Sequence, residues 1–485
     1  MSNRVFDIFA EICKVPRPSK HEEKISRWLQ NFAATHGIEC IADEAMNVIM
    51  RVPATPGFEN HEGVILQAHM DMVCEKNGDV KHDFMKDPIE TYIDGEWLKA
   101  KGTTLGADNG IGISMALAAI TDPELQHPAI ECLFTVDEET GLTGAMKLQD
   151  GMLRAKRLIN LDSEDDGQIF IGCAGGIDTL AKMHYLPKRF ADLNIPDHRP
   201  FAVKISVCGL LGGHSGDDID KGRANANKII VEFLNDIWKY TDFVLCSIDG
   251  GNLRNAIARE AEAVFVIDER NKEAIRITWN NYVAEVESKF GSVEKEMRLD
   301  LESCDLPETY LPFPQTARLL MALNECPHGV VNMSAEMPGL VETSTNLASV
   351  KMREDEKGRF IEINTSQRSS KEPAKHFIKN VVEHTLSIAC DEVTHGDGYP
   401  GWAPNPKSEL LDVVKKTYTD LFCAEPQVRA IHAGLECGLF LEKYPYLDMV
   451  SIGPQMYGVH SPQERLSIPS TERCYKWLCL ILKSL

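Results

Sequence analysis

Apolar runs that stop at a chemically active residue set the frame of this chain. Residues 64–68 are continuously apolar apart from Gln67 and end at His69-Met70-Asp71. Residues 130–136 lead into Asp137-Glu138-Glu139, and residues 158–161 into Asp162. Short apolar runs of this kind read as buried strands. Between the first two, residues 111–120 read as a helix. Upstream, Ser19-Lys20-His21-Glu22 has the form of a capping box. Ile25, Trp28, Leu29 and Phe32 follow at helical spacing, and Gly37 is a stop signal. Strands alternating with helices predict an α/β fold with a mixed, mostly parallel sheet and helices on both faces.

The pattern changes after about residue 185. Strands are expected at 201–207, 261–267, 345–352 and 359–365, with helices at 224–240, 272–289 and 374–386. This predicts an inserted α+β domain. The α/β pattern resumes after the turn-rich Gly396-Asp397-Gly398-Tyr399-Pro400-Gly401 and ends with a strand at 446–453. The expected organisation is a first domain made of residues 1–185 and 395–485, with residues 186–394 inserted as a second.

Length and composition support this division. A chain of 485 residues exceeds one ordinary core. Its 43% hydrophobic and 26% charged residues are those of a globular protein, and its net charge of −22 argues against a nucleic-acid surface. No run is long enough to span a membrane. The first residues lack the basic and apolar segments of a secretion signal. Fourteen cysteines without CxxC spacing indicate reduced thiols and a cytoplasmic setting.

In open α/β sheets, ligands collect at the carboxyl ends of strands. His69, Asp71, Glu138, Glu139 and Asp162 all follow strands. Asp108 opens a helix in Gly106-Ala107-Asp108-Asn109-Gly110, and His460 follows the last strand. Imidazoles and carboxylates together suit zinc, with manganese or cobalt as alternatives. Five such ligands suit two ions sharing a carboxylate better than one tetrahedral ion. Asp71, two residues after His69, is placed to orient it. In the Glu138-Glu139 pair one carboxylate can bind metal while the other moves protons.

These residues resemble the M20 metallopeptidase family. The likeness lies in Gln67-Ala68-His69-Met70-Asp71-Met72-Val73, Gly106–Gly110, Asp137-Glu138-Glu139-Thr140-Gly141, Asn160-Leu161-Asp162-Ser163-Glu164, Gly212-Gly213-His214-Ser215-Gly216, Asn255 in its Leu253–Ile257 context, and Gly458-Val459-His460-Ser461-Pro462. Within the family, Asp162-Ser163-Glu164, Gly172–Gly176 and His432–Gly438 are similar to bacterial aminoacyl-histidine dipeptidases. The resemblance implies metal-dependent hydrolysis of dipeptides, Xaa-His and β-alanyl-histidine among them. It implies a zinc-peptidase-like catalytic domain and an inserted lid that carries homodimer contacts. It assigns His69 and Asp162 to one ion, Glu139 and His460 to the other, and Asp108 to both. Glu138 becomes the general base, Asp71 the orienter of His69, and His214 the stabiliser of the oxyanion. Asn255 and Arg368 become candidates for the substrate carboxylate, although Gln367-Arg368-Ser369-Ser370 also reads as an exposed turn. Glu436 is a candidate acceptor for the substrate's free amine, or else a satisfied structural glutamate. The insertion is about twice a typical small lid, so His214 can serve its own subunit or a partner's. Alternatives of function are an N-acyl-amino-acid deacylase, a tripeptidase, or a metal-dependent binding protein without catalysis; the intact Glu138 argues against the last.

Overall fold

The computed structural model describes residues 2–192, 199–356 and 358–485. It divides into two compact units. The first comprises Met1–Cys173, Trp402–Ala430 and Leu435–Leu485; the second comprises Ala174–Gly401 and Ile431–Gly434.

The first unit is built on an eight-stranded sheet in the spatial order Glu39–Ala42, Val48–Val52, Ile130–Thr135, Val64–His69, Arg157–Asn160, Asp448–Ser451, Gln168–Cys173, Gln427–Ile431. The central pairings, from Ile130–Thr135 across to Asp448–Ser451, are parallel. The pairings at Glu39–Ala42, Val48–Val52 and Gln168–Cys173 are antiparallel. Every residue of Val64–His69 and of Ile130–Thr135 is buried, which explains their largely apolar character. The helix Ala107–Ile120 is buried almost all round, between the strand Val64–His69 and the helix Ser2–Ile12. The central strands therefore all deliver their carboxyl ends to one side.

Two local expectations change. The helix Glu23–His36 ends at Gly37 in the left-handed conformation, as its sequence indicates, but no capping box forms. Glu22 is itself the N-cap residue, and its carboxylate accepts the Lys20 and Asp137 N–H groups instead. The second change concerns His460. After Asp448–Ser451 the chain enters a separate four-stranded antiparallel sheet, Met456–Tyr457, Arg465–Ser467, Trp97–Ala100 and Thr91–Asp94. His460 sits in the turn between the first two of these, with φ +61.

The second unit contains a nine-stranded antiparallel sheet. One half runs Arg298–Ser303, Pro200–Cys208, Ala261–Asp268, Val244–Gly250. The other runs Val341–Asp355, Gly358–Ser369, Gly175–Tyr185, Glu392–His395, with Gly329–Met333 also on Val341–Asp355. The halves meet at one register pair, Gly250 with Val350. The boundary expected at residue 185 falls instead after Cys173. The reason is that Gly175–Tyr185 pairs along the whole of Gly358–Ser369. The return crossing falls after Gly401 rather than near 395, because Tyr399 pairs with Gly176.

His328 in this unit carries a pH dependence. Burial and the nearby Lys228 ammonium lower its pKa to about 4. Its Nδ1 accepts from the Leu347 N–H, at 3.4 Å. The unfolded chain binds a proton near the ordinary histidine pKa and the folded chain does not, so stability falls as pH drops from about 6.5 towards 4. Replacement of His328 by Gln is expected to flatten that acid limb. Urea melts from pH 7 to pH 4.5 measure it; equal slopes for both proteins would refute the assignment.

Candidate metal centre

In the first unit the strand ends assemble two ligand groups that share one aspartate. His69, Asp108 and Asp162 form one; Asp108, Glu139 and His460 form the other, with ligand atoms in each lying within 4.8 Å of one another. His69 Nε2 lies 3.0 Å from Asp108 Oδ1 and 3.3 Å from Asp162 Oδ1. His460 Nε2 lies 3.1 Å from Asp108 Oδ2 and 2.9 Å from Glu139 Oε2. Asp108 thus turns one oxygen to each group.

The donors suit a cation. Asp162 Oδ1 and Glu139 Oε1 are buried and accept no hydrogen bond. Burial raises the Asp162 carboxyl to about 6, against the pull of His69. Burial also pushes Asp108 up, but hydrogen bonds from His460 and His69 overcome it and hold that carboxyl well below the usual range. His460 is raised to about 11 by its bonds to Asp108 and Glu139. The histidines supply positive charge to these crowded carboxylates, a role that a bound divalent ion would share.

Asp71 does more than its spacing indicates. Its Oδ1 lies 3.2 Å from His69 Nδ1 and accepts the Glu138 N–H at 3.0 Å. Its Oδ2 accepts the Glu139 N–H at 3.2 Å and the Ser19 hydroxyl at 2.8 Å. One buried carboxylate therefore stands against the His69 ring and holds the backbone of the Glu138-Glu139 turn. Ser19, which the sequence presents as a helix cap, serves Asp71.

Glu138 opens the short helix Glu138–Gly141, after Asp137 in the left-handed conformation. Burial raises its carboxyl well above the ordinary value; His69 opposes this, while Asp162, Glu436 and Glu139 add to it. Glu436 is buried beside it at the N-cap of Cys437–Lys443. Its Oε2 accepts from Gln67 Nε2 and Thr135 Oγ1, both at 2.7 Å, while its buried Oε1 has no partner. Burial holds this carboxyl at about 8, with His69 opposing. Gln67 in turn accepts from Asn160, whose side-chain oxygen takes the Asp162 N–H at 3.3 Å. A polar row thus crosses the strand ends beneath the ligands. Sequence reading includes Gln67 and Asn160 in matching stretches but gives them no role, and it misses Thr135, a polar residue inside an apolar run.

A second cluster belongs to the second unit. His214 Nδ1 accepts the N–H groups of Gly216 and Asp217, both at 3.3 Å, which places the proton of the neutral ring on Nε2. Burial and the Arg368 charge lower its pKa. Arg368 is not on an exposed turn. It lies within the strand Gly358–Ser369 and is only 6% exposed. Its guanidinium donates to Tyr399 Oη at 2.9 Å and to Ser215 Oγ at 3.4 Å, and Nη2 lies 3.5 Å from His214 Nε2. Asn255 keeps an exposed side chain, and its carbonyl accepts the Ser215 N–H at 2.8 Å. Tyr399 and Ser215 are additions of the structure; Tyr399 sits in a segment that reads as a plain turn.

The family model described as peptidase family M20/M25/M40 matches residues 65–484. The chain belongs to this family. Among M20 relatives, it is 40% identical to the cytosol non-specific dipeptidase of Escherichia coli strain K12, over 99% of this chain and 97% of that protein. The crystal structure of aminoacylhistidine dipeptidase from Vibrio alginolyticus superimposes with a TM-score of 0.91 at 38% identity, covering 99% of this chain and 96% of that one. An aminopeptidase from Bacillus cereus shares the fold, with a TM-score of 0.58 at 14% identity, covering 100% of this chain and 98% of that one. Membership makes the chain a hydrolase that uses divalent metal. Among the described residues no helix is long and apolar enough to cross a membrane.

Proposed function

We propose that this M20 peptidase hydrolyses dipeptides with a free amino terminus, preferring Xaa-His and accepting β-alanyl-histidine. The observation that carries this reading is the pair of ligand groups sharing Asp108, with Glu138 in the same turn as Glu139. His69 and Asp162 would hold one divalent ion, Glu139 and His460 the second, and Asp108 both. Zinc is the first choice for this donor set, with manganese or cobalt next. When bound, such a pair supplies a polarised carbonyl and an activated water.

The residues then divide the work. Glu138 accepts a proton from the attacking water as its oxygen bonds to the peptide carbon. It returns that proton to the leaving nitrogen as the C–N bond breaks. Asp71 holds the His69 ring and the Glu138 backbone. His214 Nε2–H is assigned to the developing oxyanion, and Arg368 with Asn255 to the substrate's carboxylate, which a planar guanidinium matches. The unpartnered Oε1 of Glu436 is assigned to the free amine, which favours dipeptides over acylated substrates.

We also assign a homodimer to the second unit, supported by its strand Gly329–Met333, which exposes Val330, Val331 and Met333. A cytoplasmic setting fits fourteen unpaired cysteines and the cytosolic relative.

The test is a panel of β-alanyl-histidine, alanyl-histidine, glycyl-glycine, a tripeptide and N-acetyl-histidine, using chelator-treated protein with and without Zn²⁺. Zinc-dependent cleavage of the free-amine dipeptides, histidyl ones fastest, is expected. Cleavage of N-acetyl-histidine alone would make the chain a deacylase, and preference for the tripeptide a tripeptidase. Two bound ions without any turnover would leave a binding protein.

A further inference from the structure

Two buried charges outside the ligand set grip the loop that presents Asp108, one from each side. Glu464 is 3% exposed, and its carboxylate accepts four consecutive backbone N–H groups. Oε2 takes Leu105 at 2.7 Å and Gly106 at 2.9 Å, while Oε1 takes Ala107 at 2.8 Å and Asp108 at 3.4 Å. Arg17 is 2% exposed and holds the carbonyl side. Nη2 donates to the Gly106 carbonyl, and Nη1 to the carbonyls of Met70 at 3.0 Å and Asp71 at 2.9 Å. The Arg17 carbonyl also accepts the Met72 N–H.

The glycines of the Gly106–Gly110 motif follow from this grip. A Cβ on Gly106, where φ is +69, would lie 2.5 Å from Arg17 Nη2, and one on Gly110 would lie 2.7 Å from the same atom. The motif is thus built for a guanidinium as well as for Asp108.

Glu464 is four residues beyond His460, and the Glu464 N–H closes their turn on the Ser461 carbonyl. The two charges therefore join three segments: His69–Asp71, Leu105–Asp108 and His460–Glu464. Each segment carries a residue of the metal centre.

We propose that Arg17 and Glu464 are positioning residues that set the geometry of the metal centre. They fix Asp108 relative to His69 and His460 without touching an ion or substrate. The inference rests on the metallopeptidase reading given above. A row of four N–H groups needs a full carboxylate, because a carboxamide would turn its NH₂ towards two donors. A lysine in place of Arg17 cannot reach three carbonyls with a planar fork.

The test uses the full chain, stripped by chelation and titrated with Co²⁺, followed by visible absorption, with Zn²⁺ competition and dipeptide kinetics alongside. Glu464→Gln is expected to weaken Co²⁺ binding about 10–100-fold, to shift the visible bands, and to lower kcat more than it changes KM. Arg17→Met should act in the same direction, and Arg17→Lys should recover part of the loss. Circular dichroism establishes that each variant is folded; if Glu464→Gln does not fold, Arg17→Lys decides by the same readouts. A folded variant with parental Co²⁺ affinity and spectrum overturns the proposal, even if it melts earlier, because a merely stabilising contact would leave both unchanged. Parent protein that binds Co²⁺ and cleaves dipeptides while the variants match it refutes the positioning role alone. Parent protein that takes up no Co²⁺ refutes the metallopeptidase reading, and the inference with it.

Discussion

Replacing Glu138 with glutamine is expected to lower kcat by on the order of 10²–10⁴-fold while leaving the divalent metal content unchanged. The side chain is half-buried, and desolvation with the neighbouring Asp162, Glu436 and Glu139 raises its carboxyl, against His69. A carboxyl so placed can hold a proton between taking it and returning it, which an amide cannot do. The backbone should not move, because Asp71 Oδ1 holds the Glu138 N–H whatever the side chain. Glutamine also matches glutamate in volume, so packing is kept. Metal analysis beside steady-state kinetics decides the matter. Activity within tenfold of the parent would remove Glu138 as the base. Loss of an ion would instead make it a ligand.

Arg368→Met should behave differently from most buried substitutions. It is expected to cut kcat/KM for dipeptides by about 100-fold or more, since a buried, charge-assisted contact is typically worth several kcal/mol to a charged ligand. It should not lower the melting temperature, and is expected to raise it. The guanidinium is nearly inaccessible, yet its hydrogen bonds go to the neutral groups of Tyr399 and Ser215, with His214 beside it. Among the described residues no carboxylate lies within ion-pair distance of it. A buried cation without a counter-charge costs stability until an anion arrives. Methionine fills much of the same volume without that cost. Paired thermal melts and kinetics test both halves. A large fall in stability with unchanged kcat/KM would make Arg368 a structural residue.

How much of this was legible in the sequence depends on the physical kind of signal. Strands ending in ligands stand out because full burial demands an apolar run and the chemistry breaks it, as at His69 and Asp162. The short edge strands Glu39–Ala42 and Met456–Tyr457 have too few residues to show a period. Gly175–Tyr185 alternates in burial from Ile177 onward, yet its place depends on pairing with Gly358–Ser369, and no local pattern announces that pairing. Ser19 misled because a serine before a helix is ordinarily a cap, and here tertiary contact with Asp71 prevails. Arg368 sits among serines that look like a turn, although its strand is almost wholly buried towards its end. Arg17, between two prolines, reads as loop. Glu464 reads as surface, since its partners are backbone groups 356 to 359 positions away.

The span between Asp108 and His460, 352 positions in the chain, also has a meaning for biosynthesis. During translation the carboxylate destined to be shared is made early and its second histidine late. Until His460 has left the ribosome, a growing chain holds at most the His69, Asp108 and Asp162 group and lacks one of the three residues of the second. On the assignment proposed above, the full ligand set is therefore completed in a single late event.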